Sequence, residues 1–102
     1  MYYTIGNSFG NYHSMRDIDN LYNELEFHFS DIDALGLFVD NHDNPRFLSK
    51  YRYQHPNYNL SMNGPTIFSL TGRGIPFVYY GAELYLDGGN VPSNRECLWN
   101  TW

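Results

Sequence analysis

Two short apolar runs constrain the fold of this chain more than any other feature. Residues 35–40 and 75–80 are each apolar without alternation, which is typical of strands that are covered on both faces. Between them, residues 60–71 are predicted to be helical, and Gly72 ends that helix. A strand–helix–strand order requires a crossover connection, so the two strands are predicted to be parallel neighbours in an α/β fold.

The flanking segments extend this alternation. A helix is predicted over about residues 15–27, with Ser14 as its N-cap and Asp17 as the capping-box partner. Residues 2–5 are predicted to be the tail of a further strand, and residues 44–57 a long loop. The order favours a (β/α)₈ barrel, with a doubly wound sheet as the alternative, although the chain has no Gly-rich phosphate loop.

Two prolines modify the predicted elements. Gly64-Pro65 lies inside the second predicted helix, so that helix is expected to begin at Pro65 or to kink there. A short helix is predicted near Pro92-Ser93, after the glycines of the loop that follows the second strand. With 102 residues, against about 250 for a complete barrel, the chain is predicted to be part of one domain.

A dense polar cluster follows the first strand. It begins at Asp40 and ends at Arg46, with Asn41, His42, Asp43 and Asn44 between them. Ionisable side chains at the carboxyl end of a parallel strand usually belong to a ligand-binding or catalytic site. The sequence therefore predicts the functional site at this end of the sheet.

The charge and composition of the chain argue against some classes of binding partner. The 11 acidic and 6 basic residues give a net charge of −5, which argues against nucleic acid or an anionic membrane as the partner. The first residues lack the charged and apolar regions of a signal peptide, and Cys97 is the single cysteine, so no disulfide or Cys-based metal site is expected. Aromatic residues make up 19%, which suits stacking on flat sugar faces or ordinary core packing.

Three segments of the chain resemble one family. Gly36–Phe47 (GLFVDNHDNPRF) is similar to the segment at the seventh barrel strand of α-amylases, in glycoside hydrolase family 13. Gly74–Glu83 (GIPFVYYGAE) resembles the segment at the eighth strand, and Gly88–Glu96 (GGNVPSNRE) the following loop of the fungal and ciliate type. The resemblance covers nearly the whole chain. It implies that residues 1–102 are an incomplete domain, the C-terminal portion of the catalytic barrel, from roughly the sixth helix to the loop after the eighth strand.

The resemblance also implies roles for three residues. Asp43 would stabilise the transition state in the −1 subsite, His42 would hydrogen-bond the same sugar, and Arg95 would contact sugar in an outer glycone subsite. The aspartate that usually accompanies this arginine is replaced by Val91. The structural alternatives are that Asp43 pairs with Arg46 and that Arg95 pairs with Glu96 or Asp87.

The resemblance implies that essential parts lie outside this sequence. The family's nucleophile and acid/base follow the fourth and fifth strands, and its structural calcium is bound by residues before the sixth strand, so no metal ligand is expected here. The implied substrate is starch or another α-glucan, the implied location is extracellular, and the isolated chain is expected to be inactive without the remainder of the barrel. The alternatives are a transglycosylase, a non-catalytic carbohydrate-binding relative, and a truncated product without its own activity.

Overall fold

The computed structural model describes residues 1–51 and 60–101. Four α-helices and two strands follow each other in these ranges, joined by short 3₁₀ turns. They are α1 (Tyr2–Gly10), α2 (Arg16–His28), β1 (Gly36–Leu37), α3 (Phe47–Tyr51), α4 (Asn63–Thr71) and β2 (Ile75–Pro76).

The two strands are parallel neighbours, which confirms the predicted crossover. Gly36 is paired with Ile75, and Leu37 with Pro76. The N–H of Ile75 donates to the carbonyl of Leu35 and that of Phe77 to the carbonyl of Leu37, each at 2.8 Å. The regular ladder is shorter than the predicted residues 35–40 and 75–80, because within the described residues each strand has only the other as a neighbour.

The prediction of a strand tail at residues 2–5 is wrong, since Tyr2–Gly10 is an α-helix. The apolar residues of this stretch reach the core at helical spacing, and Ile5 is only 1% exposed. Four residues carry too little of a pattern to separate a buried strand from a buried helix, so tertiary packing decides the outcome.

The predicted loop over residues 44–57 also needs correction, because it contains the helix α3 (Phe47–Tyr51); residues 52–57 lie outside the described part. Phe47, Leu48 and Tyr51 are buried on one side of this helix. The carboxylate of Asp40 accepts the N–H of Phe47 at 2.6 Å and so satisfies a donor at the helix N-terminus.

The other predicted helices are present with small shifts. The helix α2 begins at Arg16 with Met15 as its N-cap, so the predicted N-cap at Ser14 and its capping box with Asp17 are wrong. The hydroxyl of Ser14 accepts the N–H of Arg16 instead. The helix α4 begins at Asn63, so Pro65 lies in its first turn, where a missing N–H leaves no helical bond unmade. The predicted short helix near Pro92-Ser93 is a 3₁₀ turn at Ser93–Arg95.

The core lies on one face of the strands. Leu37 and Val39 point into it and meet the buried side chains of α1, α3 and the turn before α4: Ile5, Phe47, Leu48, Tyr51 and Met62. The opposite face carries Phe77, which is 56% exposed. The helices therefore cover one side of the sheet and leave the other side open. Within the described ranges, every helix is too short or too polar to cross a membrane.

We predict that Gly10→Ala destabilises the fold. A Cβ at Gly10 would lie 2.3 Å from Cγ of Tyr51, a ring that is only 4% exposed and cannot move aside. Overpacking of this kind costs about 1–3 kcal/mol. Urea unfolding of the catalytic domain that contains this segment should show that loss. The matched control is Gly89→Ala, whose Cβ would meet only Oγ of Ser49 at 3.6 Å. Equal stability of the two variants would contradict the prediction.

Candidate functional site

The segment after β1 is an ordered turn built around one amide side chain. The carbonyl oxygen Oδ1 of Asn41 accepts the N–H groups of Asp43 and Asn44, each at 3.0 Å, and also the side-chain amide of Asn44. This Asx turn reverses the chain immediately after the strand. It presents the side chains of His42 and Asp43 outward, and these are 64% and 68% exposed.

The three site residues that the family resemblance implies, His42, Asp43 and Arg95, lie close together in the structure. Nε2 of His42 is 3.3 Å from Oδ1 of Asp43, and Nη2 of Arg95 is 3.9 Å from the same oxygen. Nε of Arg95 also donates to the carbonyl of His42 at 3.1 Å. Residues from the turn after β1 and from the loop after β2 therefore share one exposed, polar corner at the carboxyl end of the sheet.

Arg46 is oriented away from Asp43, contrary to the alternative in which the two form a pair. Its side chain is completely buried, and Nη1 donates to the carbonyl of Tyr80 at 2.9 Å. The guanidinium lies 4.5 Å from the ring centre of Tyr79 and 5.0 Å from that of Tyr80. Stacking on aromatic faces stabilises a desolvated guanidinium. Arg46 therefore links the segment after β1 to the segment after β2 on the buried side of the polar corner.

Asp40 is the second buried ionisable group at this strand end. Only 5% of the residue is exposed, and burial raises the pKa of its carboxyl from 3.8 to about 6. The N–H of Phe47 and the positive charge of Arg46 act in the opposite direction on this pKa. Asp40 was recognised in the sequence only as one of several polar residues, because its burial depends on how α3 packs.

A cleft of about 290 Å³ lies along the open face of the strands and ends at the polar corner. Aromatic and apolar side chains of both strands form its walls, and Asp40, Asn41 and His42 line its end. The polar end of this cleft therefore lies at the same strand ends as the polar corner.

No metal site is found in the described ranges. No group of three or more His, Cys, Asp or Glu side chains in residues 1–51 and 60–101 is arranged to hold a metal ion. Calcium needs six to eight oxygen ligands. The described residues therefore do not fit a calcium site.

Comparison with known proteins identifies the family. The family model for the alpha-amylase catalytic domain matches residues 3–99. This chain belongs to the alpha-amylase family. Beta/alpha-amylase of Paenibacillus polymyxa is 40% identical over 99 residues, which are 94% of this chain and 8% of that protein. Cyclomaltodextrin glucanotransferase of Bacillus sp. (strain 1011) is 36% identical over 73 residues, 72% of this chain and 10% of that protein.

The fold of this chain also agrees with that of a solved family member. The crystal structure of an Anoxybacillus alpha-amylase superposes with a TM-score of 0.86 at 30% identity, over 93% of this chain and 21% of that one. The chain thus spans about a fifth or less of the relatives that it matches. Its parallel strands and covering helices fit as a fragment of the amylase (β/α)₈ barrel, and a doubly wound sheet is set aside.

We predict that Asp40→Asn removes a pH-dependent loss of stability. The raised pKa means that folded Asp40 keeps its proton between about pH 4 and 6, where the unfolded chain loses it. Wild-type stability attributable to this group therefore falls as the pH rises through that window. Each pKa unit corresponds to about 1.4 kcal/mol, so the loss is about 3 kcal/mol by pH 7.

The measurement is urea unfolding of the full-length protein at pH 4 and pH 7. The stability of Asp40→Asn relative to wild type should rise between these two values, because asparagine keeps an acceptor for the N–H of Phe47 without the charge. Asp19→Asn, on an exposed position of α2, is the matched control and should show no such rise. A pH-independent difference for Asp40→Asn would contradict the proposed burial effect.

Proposed function

We propose that this chain is the C-terminal portion of the catalytic barrel of an α-amylase, which hydrolyses α-1,4-glucosidic bonds of starch or glycogen with retention of configuration. In this assignment α2 is the sixth helix of the barrel, and β1 and β2 are its seventh and eighth strands. The observation that supports it most is the exposed carboxylate of Asp43, held on an ordered turn beside His42 and Arg95.

Asp43 is proposed to stabilise the transition state. Its carboxylate can accept hydrogen bonds from two ring hydroxyls of the sugar whose bond is cleaved. As the leaving group departs, positive charge develops at the anomeric carbon and ring oxygen, and a fixed anion nearby lowers the energy of that state. An interaction that is strongest in the transition state raises turnover rather than ground-state affinity.

His42 and Arg95 are proposed to bind substrate. The imidazole of His42 lies next to Asp43 and can donate a hydrogen bond to a hydroxyl of the same sugar. Arg95 reaches the corner from the other loop, where its exposed guanidinium can contact the neighbouring sugar on the glycone side. Val91 supplies no carboxylate to orient that guanidinium, and the carbonyl of His42 holds it instead.

The rest of the machinery is proposed to come from the rest of the barrel. A retaining glycosidase needs a nucleophile and an acid/base whose carboxyl groups are about 5–5.5 Å apart. In the proposed enzyme both follow strands outside residues 1–102, as do the calcium ligands that the family implies. The open face of β1 and β2 would be covered by the remaining strands. An extracellular location remains a prediction from the family, and the absence of nucleic-acid and membrane partners remains a prediction from the net charge of −5.

Analysis of the products formed from starch also tests two alternatives. A transglycosylase remains an alternative, because a cyclomaltodextrin glucanotransferase is among the relatives that this chain matches. A non-catalytic carbohydrate-binding relative is disfavoured by the presence of both His42 and Asp43.

We predict that Asp43→Asn in the full-length protein lowers kcat on starch by about 10²–10³-fold, as is typical when one charge-stabilising group is removed. The fold should be unaffected, because Asp43 is 68% exposed. Initial rates and thermal melting of the same preparation measure both. Asp19→Asn, which makes the same chemical change on the surface of α2, should keep full activity. Near wild-type turnover by Asp43→Asn would refute the role given to Asp43.

We further predict linear products from starch. Chromatography of a digest should show linear maltose-sized oligosaccharides from a hydrolase, because water accepts the glycosyl group. Cyclic glucans as the main products would instead support the transglycosylase. A full-length protein that binds soluble starch without forming either product would support the non-catalytic alternative.

A further inference from the structure

One buried side chain holds the backbone on both sides of Asp43. Asn94 is completely buried in the loop after β2. Its amide nitrogen Nδ2 donates two hydrogen bonds, to the carbonyl of His42 and to the carbonyl of Asn44, both at 2.9 Å. These carbonyls belong to the residues immediately before and after Asp43, so a single amide group holds the turn that carries the carboxylate.

Other contacts also hold the loop after β2 against the turn after β1. The carbonyl of Gly88 accepts the N–H of Arg46 at 2.9 Å, and Nε of Arg95 donates to the carbonyl of His42. A Cβ at Gly88 would lie 1.8 Å from the carbonyl oxygen of Ser93, so the loop folds back on itself too closely for a side chain there. Asn94 is thereby fixed in place before it meets the turn.

We propose that Asn94 is a positioning residue for Asp43, an inference that rests on the proposed function. Asn41 shapes the turn internally, whereas Asn94 fixes where the turn lies relative to the loop after β2. Because both hydrogens of its amide are engaged, rotation of either flanking peptide would break a buried hydrogen bond. The direction of the Asp43 carboxylate toward the sugar therefore depends on Asn94, although Asn94 touches no substrate.

Only a hydrogen-bond donor suits the position of Nδ2 in Asn94, because both of its neighbours there are carbonyl oxygens. Oδ1 of Asn94 is buried and has no hydrogen-bond partner among residues 1–51 and 60–101, so the side chain interacts through its NH₂ group. An oxygen in place of that nitrogen would face two carbonyl oxygens at 2.9 Å at a residue that is completely buried. A carboxylate of the same shape is thus the most informative replacement.

The experiment compares Asn94→Asp with wild type in the full-length protein, using soluble starch as substrate. We expect kcat to fall about 10–100-fold with KM changed less than about threefold, because misplacing a catalytic group by about 1 Å has effects of this size. Asn23→Asp makes the same change at an exposed position of α2 and should keep wild-type kcat and KM. An unchanged kcat for folded Asn94→Asp would overturn the proposal.

A double mutant separates positioning from general stability. If Asn94 acts through Asp43, then adding Asn94→Asp to Asp43→Asn should lower kcat by less than about twofold further. If the two effects on kcat multiply, Asn94 acts independently of Asp43 and the proposal fails. Asn94→Ser, whose shorter side chain carries a single donor hydrogen and so cannot bond both carbonyls, serves in both arms if Asn94→Asp does not fold, with the same expected and contrary outcomes.

Hydrogen exchange supplies a readout that does not require activity. The N–H groups of Asp43 and Asn44 donate to Asn41, so their exchange reports whether the turn opens. In Asn94→Asp these two amides should exchange at least about tenfold faster than in wild type or Asn23→Asp. Unchanged exchange overturns the positioning inference. Faster exchange in a protein that does not hydrolyse starch would uphold the positioning and refute the proposed function instead.

Discussion

The parallel pairing of β1 and β2 is the constraint on which the rest of the structure depends. Two backbone hydrogen bonds, from Ile75 to Leu35 and from Phe77 to Leu37, set the register. Because the strands run in the same direction, their carboxyl ends meet, and the turn after β1 contacts the loop after β2. Residues that are about fifty positions apart in the chain, such as His42 and Asn94, are then hydrogen-bonded.

The buried polar side chains at these strand ends lower the stability of the fold, but they fix the positions of the backbone segments to which they hydrogen-bond. Asp40, Arg46 and Asn94 are at most 5% exposed, and each hydrogen-bonds to a backbone group of another segment. Taking such groups out of water is unfavourable, and the hydrogen bonds they gain offset only part of that cost. Apolar side chains of similar size would stabilise the same space but would not specify the backbone positions. The exposed corner next to them is therefore positioned by hydrogen bonds from buried polar groups.

The sequence was sufficient where local pattern and chain order agree. The parallel strands, the helix α2, the helix ending at Gly72 and a site at the polar residues after β1 were predicted in this way, whereas the roles of His42, Asp43 and Arg95 came from the family resemblance. Residues 2–5 and 47–51 were not, because their helices are short and are decided by packing around Ile5 and Phe47. The contribution of Asn94 could not be predicted either: nothing in Ser-Asn-Arg indicates that this amide is buried beneath His42.

The contrast between Asp43 and the residues that hold it fits the transition-state role proposed for Asp43. In that role the carboxylate must be open to a sugar ring, and 68% of the side chain is exposed. It must also remain in place as charge develops, since an anion that reorients during the reaction gives back part of the stabilisation. An exposed side chain has few contacts of its own, so the backbone must supply the rigidity. The N–H of Asp43 donates to Asn41, and the carbonyls of His42 and Asn44 accept from Asn94, so hydrogen bonds on both sides fix the backbone from which the exposed carboxylate projects.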